Sequence, residues 1–275
     1  IVFIKEIQIK NDFILIKKSK NYKIIIDENI KDLKINLYIY KFIFRLFLLN
    51  ESLIHYGKFE LIKKNFYNFI YTINKPSNYY EKITIVEGTS KNELNDILIN
   101  YFEIYNDLNY NELIADTYYI NPSSSFDDFK GQLNKNIRIF KDIYSSNILS
   151  KRFSFDEILI IGSLLEKEGL DYDDKKKIFS VIINRLNKKM KLQIDATVIY
   201  ALTEGKNKLN RNLTYKDLKY KHRFNTYHIY GLPPQPISYV SSDTIYLIME
   251  NYNSNYLFYF YNTLLKKHIY SESYE

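Results

Sequence analysis

The chain has 275 residues, of which 46% are hydrophobic and 26% are charged, a composition that excludes a disordered polypeptide and allows two or three small domains. Its formal net charge of +7 comes from 39 basic and 32 acidic residues dispersed along the chain, so no basic arm favours nucleic acid as a partner. Cysteine is absent and the four histidines show no metal-ligand spacing, so disulfides and thiol nucleophiles are excluded, and neither a metal nor another cofactor is expected.

The first 80 residues predict a small α+β domain. Short apolar runs between residues 1 and 26 (IVFIKEIQIK, DFILIKK and YKIIID) favour strands, and residues 30–49 have the pattern of an amphipathic helix. Lys41 and Arg45 interrupt the most apolar part of that helix, so no segment is expected to span a bilayer. The NKPSN stretch at 74–78 predicts a turn. Because the sequence begins with Ile rather than Met, the possibility of an upstream signal or membrane anchor stays open.

Residues 81–150 predict a small α/β unit. The β-branched run KITIVEG at 82–88 indicates a strand closed by glycine, and the S-x-x-E pattern from Ser90 to Glu93 predicts a capping box at the start of a helix. A second strand over ADTYYI (115–120) leads into a helix over about 126–144.

A second capping box, Ser154 with Glu157, predicts a helix that ends at Gly169 in a left-handed cap. The patterns that follow predict a helix over 173–186, a helix start at 214–217, a turn over 231–236, a helix near 241–251 and an aromatic strand over YLFYFYN.

The helix from Ser154 is apolar enough to be buried, yet it finishes with two carboxylates, Glu166 and Glu168. Glu166 lies one helical turn after Gly162 and Ser163, whose small side chains would leave room for a ligand to approach the carboxylate. An alternative is that both glutamates only mark the place where a buried helix reaches water. The spacing alone favours this second, structural interpretation.

An ordered series of motifs adds a resemblance. Together, the segments SLLEKEG, IFSVIINRLNKKMKLQIDATVIYAL, NLTYKDL and FNTYHIYGLPPQPIS resemble the YceG-like family of endolytic murein transglycosylases over essentially the whole of 150–268. Upstream, ITIVEGTS resembles the strand and turn that follow the LysM-like domain of that family, and ADTYYI resembles its P-D-T-Y segment. The sequence departs from the family pattern at turns, where Ala115 and Ala196 replace prolines and Gln235 replaces a glycine.

The resemblance implies an α+β protein with a LysM-like module at 1–80, a small α/β subdomain at 81–150 and a catalytic domain at 151–275. It implies cleavage of peptidoglycan glycan strands between N-acetylmuramic acid and N-acetylglucosamine, leaving 1,6-anhydro ends and terminating nascent strands. The first glutamate of E-K-E falls on Glu166, which is therefore expected to act as the acid and then the base of the reaction. The expected location is the bacterial inner membrane, through a single span upstream of this sequence, with the catalytic part periplasmic or extracytoplasmic. Cell-wall synthesis proteins are the implied protein partners.

Several polar positions match the family motifs and are of types that recognise sugar hydroxyl and acetamido groups. Those expected to bind substrate are Ser163, Gln193, Asp195, Asn225 and Tyr227. We expect Gln193, Asp195 and Asn225 to point into one cleft with Glu166. Further matches whose roles can equally be structural are Asn184, Arg185, Thr197, Tyr200 and Thr226.

The sequence is also compatible with two other functions. The first is a catalytically silent peptidoglycan-binding or scaffold protein, against which the retained E-K-E motif argues. The second is an ordinary hydrolase in which Asp195 positions a water molecule. The mass of the product distinguishes these, since an anhydro end is one water lighter than a reducing end.

Overall fold

The computed structural model describes residues 6–17, 22–31, 38, 42, 45–46, 54–103, 108–122, 124–206 and 208–274. The chain is an α+β protein of helices and small two-stranded sheets. It divides into two compact units. The first comprises Ile1–Ile83 with Tyr118–Phe129, and the second comprises Thr84–Thr117 with Lys130–Glu275.

Within the described parts of residues 6–31 and 54–73, the first unit forms two short antiparallel sheets and two helices. Its elements are β1 (Gln8–Ile9), β2 (Ile14–Ile16), α1 (Tyr22–Asn29), β3 (Ile30–Lys31), β4 (Gly57–Phe59) and α2 (Phe66–Ile73). Strand β1 pairs with β3, and β2 pairs with β4. Their apolar faces and those of both helices form one core that includes Ile14, Phe59 and Phe66. Helix α2 was not predicted; it ends at Ile73, and the predicted turn begins at its C-cap, Asn74.

The prediction of a strand over YKIIID is wrong, because these residues begin helix α1. Ile25 and Ile26 are both buried, and the Asn29 side chain donates hydrogen bonds to the carbonyls of Ile25 and Leu15. Tertiary packing therefore overrides the β-propensity of the isoleucines. Of the helix predicted over 30–49, residues 30–31 form β3, and most of the remainder lies outside the described residues.

The next part of the chain follows the predicted order of elements. Strands β5 (Glu81–Thr84) and β6 (Thr117–Ile120) form a two-stranded sheet. Helix α3 (Lys91–Phe102) begins with the predicted capping box of Ser90 and Glu93, and α4 spans Phe126–Ser145. A 3₁₀ turn, Ile148–Lys151, then leads to the helix that carries both glutamates.

The rest of the second unit is mainly helical and ends in a hairpin. Its elements are α5 (Phe155–Glu168), α6 (Tyr172–Asn187), α7 (Asp195–Thr203), α8 (Tyr215–Leu218), α9 (Ser242–Met249), β7 (Phe258–Asn262) and β8 (Lys267–Ser271). The capping box of Ser154 and Glu157 is confirmed, and a third one joins Thr214 and Asp217. Helix α7 and strand β8, which pairs antiparallel with β7, were not predicted.

Helix α5 is the centre of this unit because it packs against α6, α7 and α9. Every residue from Ile158 to Leu165 is buried. A helix that is apolar on all sides must be surrounded in this way, and each buried leucine or isoleucine contributes about 1.5–3 kcal/mol. Within the described residues, no helix combines the length and the apolar character required to cross a membrane.

The end of α5 differs from the prediction at Gly169. Its backbone is extended, with φ −75° and ψ 141°, rather than left-handed. A Cβ at this position would lie 2.2 Å from Cγ of Lys175, so glycine is required here for close packing. The side chain of Lys175 thereby crosses the end of α5.

Candidate active site

Glu166 lies inside the protein, with a side chain that has no exposed surface. Its Oε1 accepts hydrogen bonds from the backbone N–H of Ser241 (3.0 Å) and from its hydroxyl (2.8 Å). Its Oε2 pairs with Nζ of Lys175 at 2.5 Å. The carboxylate therefore ties α5 to α6 and to the N-cap of α9.

The expected opening beside Glu166 is occupied by protein. A Cβ on Gly162 would lie 2.6 Å from Cγ1 of Val240. Ser163 is fully buried, and its hydroxyl donates to the carbonyl of Ile160 (2.7 Å) and accepts from the N–H of Ile237 (3.0 Å). The two small residues thus make room for the segment at 237–241, and the expectation that they admit a ligand is corrected.

Glu168 lies in a different environment, at the last residue of α5. The residue is partly buried, its Oε2 accepts from the hydroxyl of Tyr259 (3.2 Å), and its Oε1 accepts from the N–H of Ala196 (3.4 Å). Burial raises the pKa of Glu168 to about 7, and the nearby charge of Asp195 adds to the rise, although both hydrogen bonds oppose it. This carboxyl group therefore exchanges its proton near neutral pH.

Asp195 and Tyr227 lie next to Glu168. Asp195 is exposed as the first residue of α7, and its Oδ1 accepts a hydrogen bond of 2.6 Å from the hydroxyl of Tyr227. Burial raises the pKa of Tyr227, and the bond to Asp195 raises it further, so the phenol keeps its proton at neutral pH. The site thus combines a titratable carboxyl, a second carboxylate and a fixed hydroxyl.

Two buried threonines bring Asp195 and Tyr227 together. The hydroxyl of Thr226 accepts from the N–H of Ile194 (2.9 Å) and lies 2.9 Å from the hydroxyl of Thr197. Thr197 in turn donates to the carbonyl of Ile194 at 2.6 Å. These bonds fix the start of α7 against the loop at 225–227, so both threonines are positioning residues.

Asn225 and Gln193 have different roles from those expected. Asn225 is fully buried, and its Nδ2 donates to the carbonyls of Leu218 (3.0 Å) and Tyr220 (2.7 Å), so it shapes the loop and does not face the cleft. Gln193 is exposed two residues before Asp195, with a left-handed φ of 51°. The prediction that Gln193, Asp195 and Asn225 converge on Glu166 is not met, because the cluster forms around Glu168.

The terminal hairpin contributes residues that the sequence did not identify. Tyr259 of β7 reaches Glu168, and its ring meets that of His268 edge to face, with centroids 5.4 Å apart. Nδ1 of His268 lies 2.8 Å from Asp174 of α6, which also accepts from the hydroxyl of Tyr270 (2.5 Å). The hairpin is thereby fixed to α6. The strand over YLFYFYN was predicted, but in a chain with 28 tyrosines no feature of the sequence singled out Tyr259.

The matched pair Asn184 and Arg185 is structural. Nδ2 of Asn184 donates to the carbonyls of Ser254 (2.7 Å) and Tyr256 (2.9 Å). Nε of Arg185 donates to the carbonyl of Leu257 at 2.7 Å. Together they hold the chain that enters β7. In the ranges that the structure describes, no group of three His, Asp or Glu side chains is arranged to hold a metal ion.

The model of the YceG-like family matches residues 15–275. The chain belongs to the YceG-like family. A crystal structure of a yceG-like protein from Listeria monocytogenes superposes with a TM-score of 0.60 at 23% identity, covering 97% of this chain and 98% of that one. The two YceG-like chains therefore share a fold.

Two curated relatives of this YceG-like chain carry the name endolytic murein transglycosylase. The protein from Bacillus subtilis is 33% identical over 148 residues, which is 54% of this chain and 40% of that protein. The protein from Streptococcus pneumoniae R6 is 32% identical over 156 residues, or 54% of this chain and 27% of that protein. Each match therefore spans less than half of the relative.

Proposed function

We propose that this chain is an endolytic peptidoglycan lytic transglycosylase. It cleaves the bond between N-acetylmuramic acid and N-acetylglucosamine within glycan strands and leaves 1,6-anhydro-muramic ends, which stops elongation of the strand. The names of the two relatives support the reaction. The observation that carries the proposal is a carboxyl group, Glu168, whose pKa of about 7 suits a group that must both give and take a proton.

Glu168 replaces Glu166 as the acid in this proposal. Glu166 is enclosed, bonded to Ser241 and paired with Lys175, so no glycosidic oxygen can reach it. Glu168 is a partly buried residue that forms no ion pair within the described residues, and its pKa of about 7 allows it both to give and to take a proton near neutral pH. It is therefore the carboxyl of the E-K-E motif that can meet a substrate.

The reaction proceeds in two steps. Protonated Glu168 gives its proton to the glycosidic oxygen, the bond from C1 of the muramic acid to that oxygen breaks, and glucosamine leaves as an alcohol. The Glu168 carboxylate then accepts the proton of the C6 hydroxyl, whose oxygen bonds to C1. No water is consumed, and Glu168 ends protonated, as it began.

Asp195 and Tyr227 supply what this chemistry requires besides a proton. Positive charge develops at C1 and the ring oxygen in the first step, and the Asp195 carboxylate stabilises it. The hydroxyl of Tyr227 fixes that carboxylate. The exposed amide of Gln193 lies two residues away and can bind sugar hydroxyl or acetamido groups.

We also propose the three-part organisation and location implied by the family resemblance. The proposed parts are a LysM-like module at 1–80, an α/β subdomain at 81–150 and a catalytic domain at 151–275. The break between compact units after Ile83 lies near the first of these boundaries, whereas residues 81–150 contribute to both units. Glycan strands lie outside the cytoplasmic membrane, so the catalytic domain acts there, held by a single span upstream of this sequence. Cell-wall synthesis proteins are its proposed partners. Fractionation of cells that express the full-length protein, followed by protease accessibility, tests the location.

Digestion of purified sacculi tests the activity. Mass spectrometry of the released muropeptides should show 1,6-anhydro ends, each one water lighter than a reducing end. Reducing ends instead would indicate a hydrolase in which Asp195 positions water. Binding without any cleavage would indicate a scaffold protein, and either result would overturn the proposed reaction.

A further inference from the structure

A cavity of about 600 Å³ lies in the second unit between helices α3 and α7. This volume is typical of a site for a ligand rather than of a packing defect. Its apolar wall comes from Ala196, Ile199 and Tyr200 of α7, and its polar wall includes Asp96 of α3 and Lys167 at the end of α5. An apolar surface with a few polar groups is the usual composition of a binding pocket.

The cavity adjoins the proposed catalytic carboxyl. Ala196 lines it, and the N–H of the same residue donates to Oε1 of Glu168. Lys167, which also lines it, directly precedes Glu168 in the chain. A ligand in the cavity therefore contacts residues that directly precede or hydrogen-bond to the proposed acid.

The cavity presents two unpaired charges of opposite sign. Neither Lys167 nor Asp96 forms a side-chain hydrogen bond or an ion pair with another residue of the described ranges. By contrast, Lys208 and Glu93 at the rim are paired with each other at 3.3 Å. Removal of water from around its ammonium group lowers the pKa of Lys167, although much of its side chain is exposed. Both charges are available to an incoming group.

Building on the proposed function, we propose that this cavity binds the peptide stem of the muramic acid whose glycosidic bond is cleaved. The stem is attached through the lactyl group at C3 of that same sugar, so its site must adjoin the acid that acts at C1. Stem peptides carry carboxylates together with a free amine, the charges that Lys167 and Asp96 complement. Their alanine methyl groups suit the wall formed by Ile199 and Tyr200.

Binding of N-acetylmuramyl pentapeptide to the whole protein tests this site without depending on cleavage. By calorimetry, we expect the pentapeptide to bind at least about tenfold more tightly than N-acetylmuramic acid. Lys167→Met and Asp96→Asn should each weaken pentapeptide binding about three- to tenfold, as expected for a partly solvated ion pair. The matched control is Lys188→Met, which changes an exposed lysine at the end of α6 and should have no effect.

A second measurement compares cleavage of native glycan strands with cleavage of strands stripped of their stems by an amidase. Lys167→Met should lower the rate on native strands at least about threefold more than the rate on stripped strands. Equal binding of the sugar with and without its stem, or equal effects of Lys167→Met and Lys188→Met, would overturn the assignment. If the wild type binds the pentapeptide but cleaves neither strand, the proposed function fails while the stem site stands.

Discussion

Replacement of Glu168 by glutamine should abolish glycan cleavage and stabilise the fold at alkaline pH. Glutamine has nearly the same shape but cannot donate a proton, and loss of general acid catalysis costs about 10²–10⁴ in rate, or roughly 3–5 kcal/mol of transition-state stabilisation. The two effects have one origin, because the burial that tunes the acid also destabilises its ionised form.

The stability gain follows from the pKa of Glu168, which burial raises from about 4.5 to about 7. Ionisation of Glu168 therefore costs about 3 kcal/mol more in the folded protein than in the unfolded chain. Below pH 4.5 the Glu168 carboxyl is protonated in both the folded and the unfolded protein, and the folded state has its full stability. As the pH rises through 7, ionisation of Glu168 lowers the free energy of unfolding. Glu168→Gln should thus match the wild type at pH 4.5 and exceed it at pH 8 by about 1–3 kcal/mol, after an allowance for imperfect amide hydrogen bonds.

The assay pairs sacculus digestion with thermal melts at pH 4.5 and pH 8, and Glu166→Gln is the matched control. That change removes the charge paired with Lys175 inside the protein and should cost about 2–4 kcal/mol at pH 8. Activity per folded molecule should stay within about tenfold of wild type. The reasoning fails if Glu168→Gln cleaves normally, or if the Glu166 variant is stable and inactive.

The pH profile of the wild type gives a second test of the same carboxyl group. Because the acid must be protonated, kcat/KM should fall about tenfold per pH unit above a pKa near 7. A descending limb that begins near pH 4.5 would assign the proton to a carboxyl with an ordinary pKa and exclude Glu168.

Three further substitutions test the supporting structure. Asn225→Ala removes a fully buried amide that donates to two backbone carbonyls and should lower the free energy of unfolding by about 1–3 kcal/mol in urea, whereas an unchanged value would place the side chain in solvent. Gly162→Ala should cost about 1–3 kcal/mol through its clash with Val240, and a double-mutant cycle with Val240→Ala should show coupling; additive effects would exclude that contact. Tyr227→Phe should lower cleavage about tenfold with little change in melting temperature, because Asp195 loses its hydroxyl partner; full activity would remove Tyr227 from the site.

Local signals in the sequence predicted much of the second unit. The capping boxes at Ser90 and Ser154 each begin a helix. In each box the serine hydroxyl accepts from the backbone N–H of the glutamate three residues later, and the glutamate carboxylate accepts from the backbone N–H of the serine. This information is contained within four residues. Helix α1 shows the limit, since the isoleucines of YKIIID are helical only because of packing against residues distant in sequence.

The candidate site could be predicted only in part, since it depends on residues that are far apart in the chain. Asp195 and Tyr227 were identified and do lie together. Asn225 has the chemistry of a sugar ligand, but its amide is engaged by two carbonyls that only the folded loop brings to it. The contact of Tyr259 with Glu168 joins residues 91 positions apart, and no local pattern specifies it.

Helix geometry explains why the choice between Glu166 and Glu168 needed the structure. Residues two apart on an α-helix are separated by about 200°, so the two carboxylates of E-K-E point to nearly opposite sides of α5. On one side, Ser241 and Lys175 enclose Glu166, which joins α5 to α6 and α9. On the other side, α7 and the hairpin surround Glu168 and raise its pKa. The same motif thus supplies one carboxylate that is ion-paired and joins the helices, and one that forms no ion pair within the described residues and has a pKa of about 7.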